Sequence, residues 1–486
     1  MPPRIMIISL VDEENVRSAV SGAENSLREC WAKLVLLQNE DMSRVEFLAA
    51  LTSFQPTLLA ALVRLESFYN ELCQAKRDLV SHKAHLKPHS FSEERRKLEK
   101  YKDLVDAVID IGKALGDAFA WLFYQRNRWL LKRHYEHEFI PRLPTRLGGA
   151  GEVGFLKNHP TFGRYFVLSH SMTTFLRLGD VSLIDPRNLK VAAIGELKTQ
   201  KVSGTEATTS IFLLGKSALP PDMLPKLSPD PQATQRINKQ LDPKVLARLK
   251  RQMRSIENSF KQPRAKIAPE PLAMALACSK LTELFDNSSG SVWGRVTVGQ
   301  GLMLVGVRRE HSSLFDRLTG GISNREEYKR NQDRVNLAAQ DIIDKTLPDN
   351  AVIISSMPYP TQDRYELELG MRPLFWWPVS TQVREAVIFR RMAVMTLYNP
   401  VFLIDRLRRA GFDVESNGAG MIGISKAYGQ GRMKLIGLTY IYDLIQKHLF
   451  SEETVVAMIK RAVGSVEEAG IQQTTLVSLD FDFIFQ

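Results

Sequence analysis

Between residues 58 and 79 the apolar positions Leu58, Leu62, Leu65, Tyr69, Leu72 and Leu79 recur at four- and three-residue steps, which aligns them as a seam along one side of a helix. Pro88 breaks that pattern, and a Ser-x-x-Glu start at Ser90 predicts a second helix. A further helical pattern runs from about Leu104 to Phe139 and stops before Pro141 and Pro144. "TRLGGAGEVG" (145–154) is Gly-rich and predicts a break between element groups. Beyond it the pattern becomes strand-like, over 175–184, 191–198 and 210–214. A Pro-rich loop is predicted over 216–232 and a basic helix over 244–261. "SVWGRVTVGQGLMLVGVRRE" (291–310) predicts a hairpin of buried strands, 323–346 a polar helical connector, and the remainder an α/β region. There is no internal repeat and no low-complexity tract.

The fold class predicted is α/β, in three parts: a helical region over 1–102, a core over 103–322 and an α/β region over 323–486. Composition alters this little, because 44% hydrophobic and 24% charged residues in a 486-residue chain are ordinary for globular domains. Charge adds more. The formal net charge is +11, and residues 236–266 hold ten Lys or Arg against two acids, which points to a polyanionic partner. Cys30, Cys73 and Cys278 are too far apart in sequence for a disulfide framework or a paired-cysteine zinc site, as expected of a reducing cytoplasm. The apolar run near the N-terminus is too short for a signal peptide, and no uninterrupted apolar run reaches membrane-spanning length, so a soluble cytoplasmic protein without a membrane partner is expected.

The segment "LGDVSLIDPRNLKVAAIGELKTQ" (178–200) carries charge where apolar strands are predicted. Residues two apart on a strand share a face, so Glu196 and Lys198 point the same way and Leu197 the other. A turn at "DPRN" (185–188) would bring Asp180 beside Glu196. Two neighbouring carboxylates repel unless a cation lies between them, and Mg²⁺ is a common occupant. A lysine beside the ion can orient a water and offset charge building on a phosphate.

This arrangement resembles the PD-(D/E)xK nuclease superfamily, in which an Asp at one strand and an Asp/Glu-x-Lys on the next form the site. Gly179 stands where that family often has proline. The resemblance covers roughly residues 105–310. It implies a mixed-sheet, restriction-endonuclease-like core and hydrolysis of phosphodiester bonds, in DNA more than RNA. It also implies Mg²⁺ (or Mn²⁺) held by Asp180, Glu196 and the Leu197 position, with Lys198 catalytic. Two other acid-x-Lys triplets, Asp242–Lys244 and Glu327–Lys329, lie in polar, helix-like surroundings and lack the strand context. Members of the family usually carry an acid on a helix before the first strand. Here Asp117, the only charge in "ALGDAFAWLFY" (114–124), is the candidate, with Glu136 and Glu138 as alternatives. One branch adds a helical glutamine, which Gln252 would match. The helix "KVLARLKRQMRSIENSF" (244–260) would then offer Lys244, Arg248, Arg251 and Arg254 to phosphates.

Other motifs carry less. "GAGMIG" (418–423) fits a dinucleotide-binding pattern in letters only, since it runs into a hairpin-like sequence. His134 and His137 lack zinc-like partners. "PLFWWPV" (373–379) is a packed or partner-facing aromatic cluster, and Arg406, Arg408 and Arg409 form a second basic patch. Defence against foreign DNA is a setting consistent with such a core in a large chain. The rival class is a non-catalytic nucleic-acid-binding or scaffold subunit with protein partners or a homo-oligomeric assembly.

Overall fold

The computed structural model describes residues 12–39, 41–125, 127–135, 143, 147–203, 206–215, 247, 251, 254, 272–274, 277–288, 293–309, 313–323, 333, 337, 353–357, 372–417, 420–428, 431–435, 439–468 and 483–485. Its internal contacts divide the chain into two units, Met1–Lys266 and Ile267–Gln486.

Three long helices open the first unit. α1 (Glu13–Leu36) starts where Asp12 caps the Asn15 N–H at 2.8 Å. α2 (Arg44–Ser81) starts with a capping box between Ser43 and Glu46. All six seam positions of 58–79 are buried, as their spacing predicts. α2 is also long and apolar enough to cross a membrane by length and composition, but its seam is buried within the protein and it packs on α1. α3 (Pro88–Tyr124) is a single helix in which Pro88 takes the first-turn position that tolerates its missing N–H. It therefore runs through the boundary expected at 102/103, and the two helices predicted over 90–139 are divided elsewhere. The run "EERRKLEK" contains strong helix formers and nothing that stops a helix. α3 ends at Tyr124, and α4 (Arg128–Tyr135) follows it.

The Gly-rich stretch read as a break is mostly helical: α5 spans Leu147–Asn158. Glycine disfavours an isolated helix, but α5 packs along the sheet described next, and tertiary packing outweighs propensity.

That sheet has five strands: β1 (Thr161–Phe162), β2 (Tyr165–Ser169), β3 (Val181–Asp185), β4 (Lys190–Ser203) and β5 (Glu206–Gly215), in sequence order. All four pairings are antiparallel, so the described part is a meander and not the mixed sheet expected. The 175–184 strand shortens to β3, because residues 170–180 form turns that pack on α3 at Lys113, Gly116 and Asp117. At the predicted "DPRN" turn, Asp185 accepts from the Arg187 N–H at 3.1 Å and Leu189 adopts φ 53°. Gln55 of α2 ties the helices to the sheet by donating to the Val167 carbonyl (2.9 Å) and accepting from the Ser169 N–H (2.8 Å). Phe119 joins the layers. It stacks on Phe54 at 4.1 Å between centroids and meets Phe166 edge-on at 5.9 Å. Full burial of one such ring contributes about 1.5–3 kcal/mol.

In the second unit, β7 (Trp293–Val298) and β8 (Leu302–Arg308) form the predicted hairpin. They pair onward as β7-β8-β10-β9 with β9 (Ile353–Met357) and β10 (Met392–Tyr398), all antiparallel. The hairpin therefore belongs to this unit rather than to the core expected to extend to 322. A short strand β6 (Leu272–Met274) pairs in parallel with β14 (Phe483–Phe485). β11 (Asp413–Asn417), β12 (Gly420–Tyr428) and β13 (Gly431–Leu435) form an antiparallel sheet, so the described part of "GAGMIG", residues 420–423, lies in a strand and not at the start of the helix that a dinucleotide site needs. In the aromatic cluster, Phe375 and Trp377 are buried and the Arg384 guanidinium lies over Phe375 at 5.2 Å.

Candidate functional site

Val181 pairs with Gly195, and the Asp180 N–H donates to the Gly195 carbonyl at 2.8 Å. One step further along this ladder sets Asp180 opposite Glu196, and directly opposed residues share a face. The Asp180 carboxylate turns onto the next strand and accepts from the Leu197 N–H at 2.7 Å through Oδ2. Lys198, two residues from Glu196 on the same face of β4, donates to Glu196 Oε1 at 2.5 Å. Glu196 is only 1% exposed, whereas Lys198 is half-buried. The structure thus brings Asp180, Glu196, Leu197 and Lys198 together at the start of β3 and the middle of β4.

The turn into Asp180 explains the missing proline. Gly179 has φ 74°, which the proline ring cannot reach, and a Cβ there would lie 2.8 Å from the Gly195 carbonyl oxygen.

Asp117 is fully buried on α3, but its carboxylate is used by the 170–178 segment. Oδ1 accepts from the Thr174 N–H at 2.7 Å and Oδ2 from the Thr174 hydroxyl at 2.6 Å. These donors are the partner that a buried acid requires, and they make Asp117 an anchor of that segment. Nearby, Lys113 donates to the carbonyls of Ser171 and, at 3.4 Å, Thr173. A second buried acid, Glu152, stands on α5 ahead of the sheet. It is buried, accepts from the hydroxyls of Ser169 (2.7 Å) and Ser171 (2.5 Å), and is pushed up to about 7. Burial is the main cause. The Ser171 bond opposes it and the charge of Asp180 adds to it, which puts Glu152 within electrostatic reach of the site. Sequence reasoning missed Glu152 because its neighbours are glycines. The available signal was that it is the only charge in 147–156.

Glu136, Glu138, Lys244, Arg248 and Gln252 lie outside the described residues. Arg251 and Arg254 are helical and exposed. Among the described residues no group of three or more His, Cys, Asp or Glu forms a ready-made metal cage.

Asp117 links the fold to pH. Burial pushes it up to about 7 from an ordinary 3.8, against the lowering by Thr174 and Lys113. Between those values the folded state keeps a proton that the unfolded chain has lost. Its stabilising effect is therefore full at low pH and disappears as pH rises through about 7. Asp117→Asn, which keeps the shape without the charge, should remove on the order of 5 °C from the fall in melting temperature between about pH 4 and pH 8 in EDTA. An unchanged profile would mean that the carboxylate stays ionised in the folded protein.

No family model matches this chain, and neither does any curated protein or solved structure.

Proposed function

We propose that the first unit is a metal-dependent nuclease of the PD-(D/E)xK kind, acting on DNA in preference to RNA. The observation that carries this reading is the burial of Glu196 with Lys198 on one face of β4, opposite Asp180. A solvated Glu–Lys pair would be an ordinary surface feature. With Glu196 buried and Lys198 half-buried, the pair gives up hydration that its attraction must offset, so it is a weak device for stability and a reasonable one for chemistry.

The donor set fits Mg²⁺, a hard ion that takes oxygen ligands, keeps several waters and needs only one or two carboxylates. Asp180 and Glu196 would hold it with the Leu197 carbonyl. When bound, such an ion lowers the pKa of a water and screens a phosphate. Lys198 orients the attacking water and offsets charge developing on the scissile phosphate. The hydrogen bond from the Leu197 N–H to Asp180 fixes one carboxylate against β4, so that it need not reorganise as substrate arrives. The order helix α5, strands β2 and β3, then β4 with its Glu-x-Lys supports the restriction-endonuclease-like reading of the core.

The test is cleavage of plasmid, linear DNA and RNA by the purified full-length protein, in Mg²⁺ and in EDTA. Mg²⁺-dependent cleavage should fall on the order of a hundredfold or more in Asp180→Ala and Glu196→Gln, while DNA binding persists. Absence of cleavage in the parent protein, or variants that cleave as well as it does, would overturn the reading.

A further inference from the structure

Three consecutive residues leading into β3 are held by two buried histidines. The Leu178 N–H donates to His134 Nδ1 at 3.1 Å, the Gly179 carbonyl accepts from His170 Nδ1 at 3.1 Å, and the Asp180 carbonyl accepts from the His170 main-chain N–H at 2.9 Å. The histidines are joined through two hydroxyls. His134 Nε2 lies 3.2 Å from the Tyr124 hydroxyl, which is 2.6 Å from Ser182 Oγ, which is 2.6 Å from His170 Nε2.

The two backbone ends decide where every proton sits. A main-chain N–H only donates, so His134 Nδ1 is an acceptor and its proton is on Nε2. That N–H donates to Tyr124, whose own proton then goes to Ser182. At the other end the Gly179 carbonyl only accepts, so His170 carries its proton on Nδ1. From the His134 end Ser182 arrives as a donor, so His170 Nε2 accepts and the ring is neutral. The directions from both ends agree, and the chain has one arrangement: His134 to Tyr124 to Ser182 to His170 to Gly179. Four side chains from α3, α4, the 170–180 segment and β3 thus hold one histidine tautomer.

We infer that His170 is a positioning residue of the site: its Nδ1–H sets the Gly179–Asp180 backbone, and through it the reach of the Asp180 carboxylate to Leu197, while Ser182, Tyr124 and His134 keep the proton on Nδ1. In its effect on catalysis this rests on the nuclease reading above. Its structural content, the hold on Asp180, does not.

Two amides separate the contacts of the ring. His170→Asn places an N–H near Nδ1 and keeps the Gly179 donor while giving up Ser182. His170→Gln reaches toward Nε2, keeping Ser182 and giving up Gly179. Ser182→Ala keeps the ring but frees its Nε2, so the proton is no longer confined to Nδ1, and its effect should fall between those of His170→Asn and His170→Gln. The first readout is hydrogen exchange at the Leu197 amide in metal-free full-length protein, each variant being compared at the same interval below its melting temperature. Exchange should rise about tenfold or more in His170→Gln and change little in His170→Asn. The second readout is Mn²⁺ affinity by calorimetry together with kcat and KM for DNA. His170→Gln should lose about 10- to 100-fold in affinity and kcat with KM nearly unchanged, and His170→Asn should stay near the parent. If His170→Gln folds poorly, His170→Ala, which lacks both contacts, takes its place with the same expectation. Equal Leu197 exchange in the Asn and Gln variants overturns the positioning role. A parent protein that binds no Mn²⁺ and cleaves nothing overturns the nuclease reading instead, and the exchange comparison still decides the positioning.

Discussion

Lys198→Met should lower cleavage on the order of a hundredfold or more while Mg²⁺ or Mn²⁺ binding stays near normal. Methionine keeps much of the length and apolar stem of lysine, so β4 should still pack. Asp180 and Glu196 would remain to hold the ion. What disappears is the positive charge beside the attacking water and the phosphate. The structure adds a second consequence. Lys198 donates to Glu196 Oε1, and Glu196 is buried. Removing one member of a fully buried pair costs about 3–5 kcal/mol, and the half-buried Lys198 should give less than that. The variant should therefore melt earlier than the parent in EDTA and recover much of the difference when Mg²⁺ is added. Calorimetry, melting with and without metal, and cleavage rates check this together. Normal cleavage by Lys198→Met would reduce the lysine to a partner of Glu196 and favour the binding-subunit class.

Gly116→Ala should destabilise the first unit by about 3 kcal/mol, the opposite of what alanine usually does within a helix. At Gly116 a Cβ would lie 1.9 Å from the Met172 carbonyl oxygen, a backbone atom held in the 170–178 segment. α3 can approach that segment so closely only because the side chain is absent. The approach is what lets Asp117 receive Thr174 and Lys113 reach Ser171. Either α3 or the segment must shift, and the segment leads directly into Gly179 and Asp180. A loss of metal affinity should therefore accompany the loss of stability in denaturant unfolding. Gly22→Ala on α1 is the control. Nothing lies within 4 Å of its added Cβ, and it should be neutral or stabilising by up to about 1 kcal/mol. Equal effects at the two positions would show that the packing of α3 on residues 170–178 is looser than described.

Much of the candidate site was legible in the chain because it depends on strand periodicity. Glu196 and Lys198 share a face by their spacing alone, and the "DPRN" turn gives Asp180 its place opposite Glu196. Asp117 was legible as a buried acid, but its partner was not. Thr174 lies 57 positions away and reaches it only through the close passage at Gly116. Glu152 and the histidine chain were hidden for different reasons. Glu152 lies among glycines, whose local preference is for turns, and the helix there forms because α5 packs against the sheet. His134 and His170 carried no recognisable spacing, since their link runs through Tyr124 and Ser182 on other elements.

The sequence by itself determined the long α2 seam, the strand character of β3 and β4, the β7–β8 hairpin and the pairing of acid with lysine on one strand face. Each depends on residues within a few positions of one another, where backbone geometry fixes which side chains share a side. Only the tertiary structure decided that α3 is continuous, that the glycines of 147–158 are helical, that the hairpin belongs to the second unit, and that Glu196 is buried. Those outcomes depend on surfaces brought together from distant parts of the chain. Burial there outweighs local propensity, and it changes the meaning of a charged residue from a solvated one to one that needs a partner.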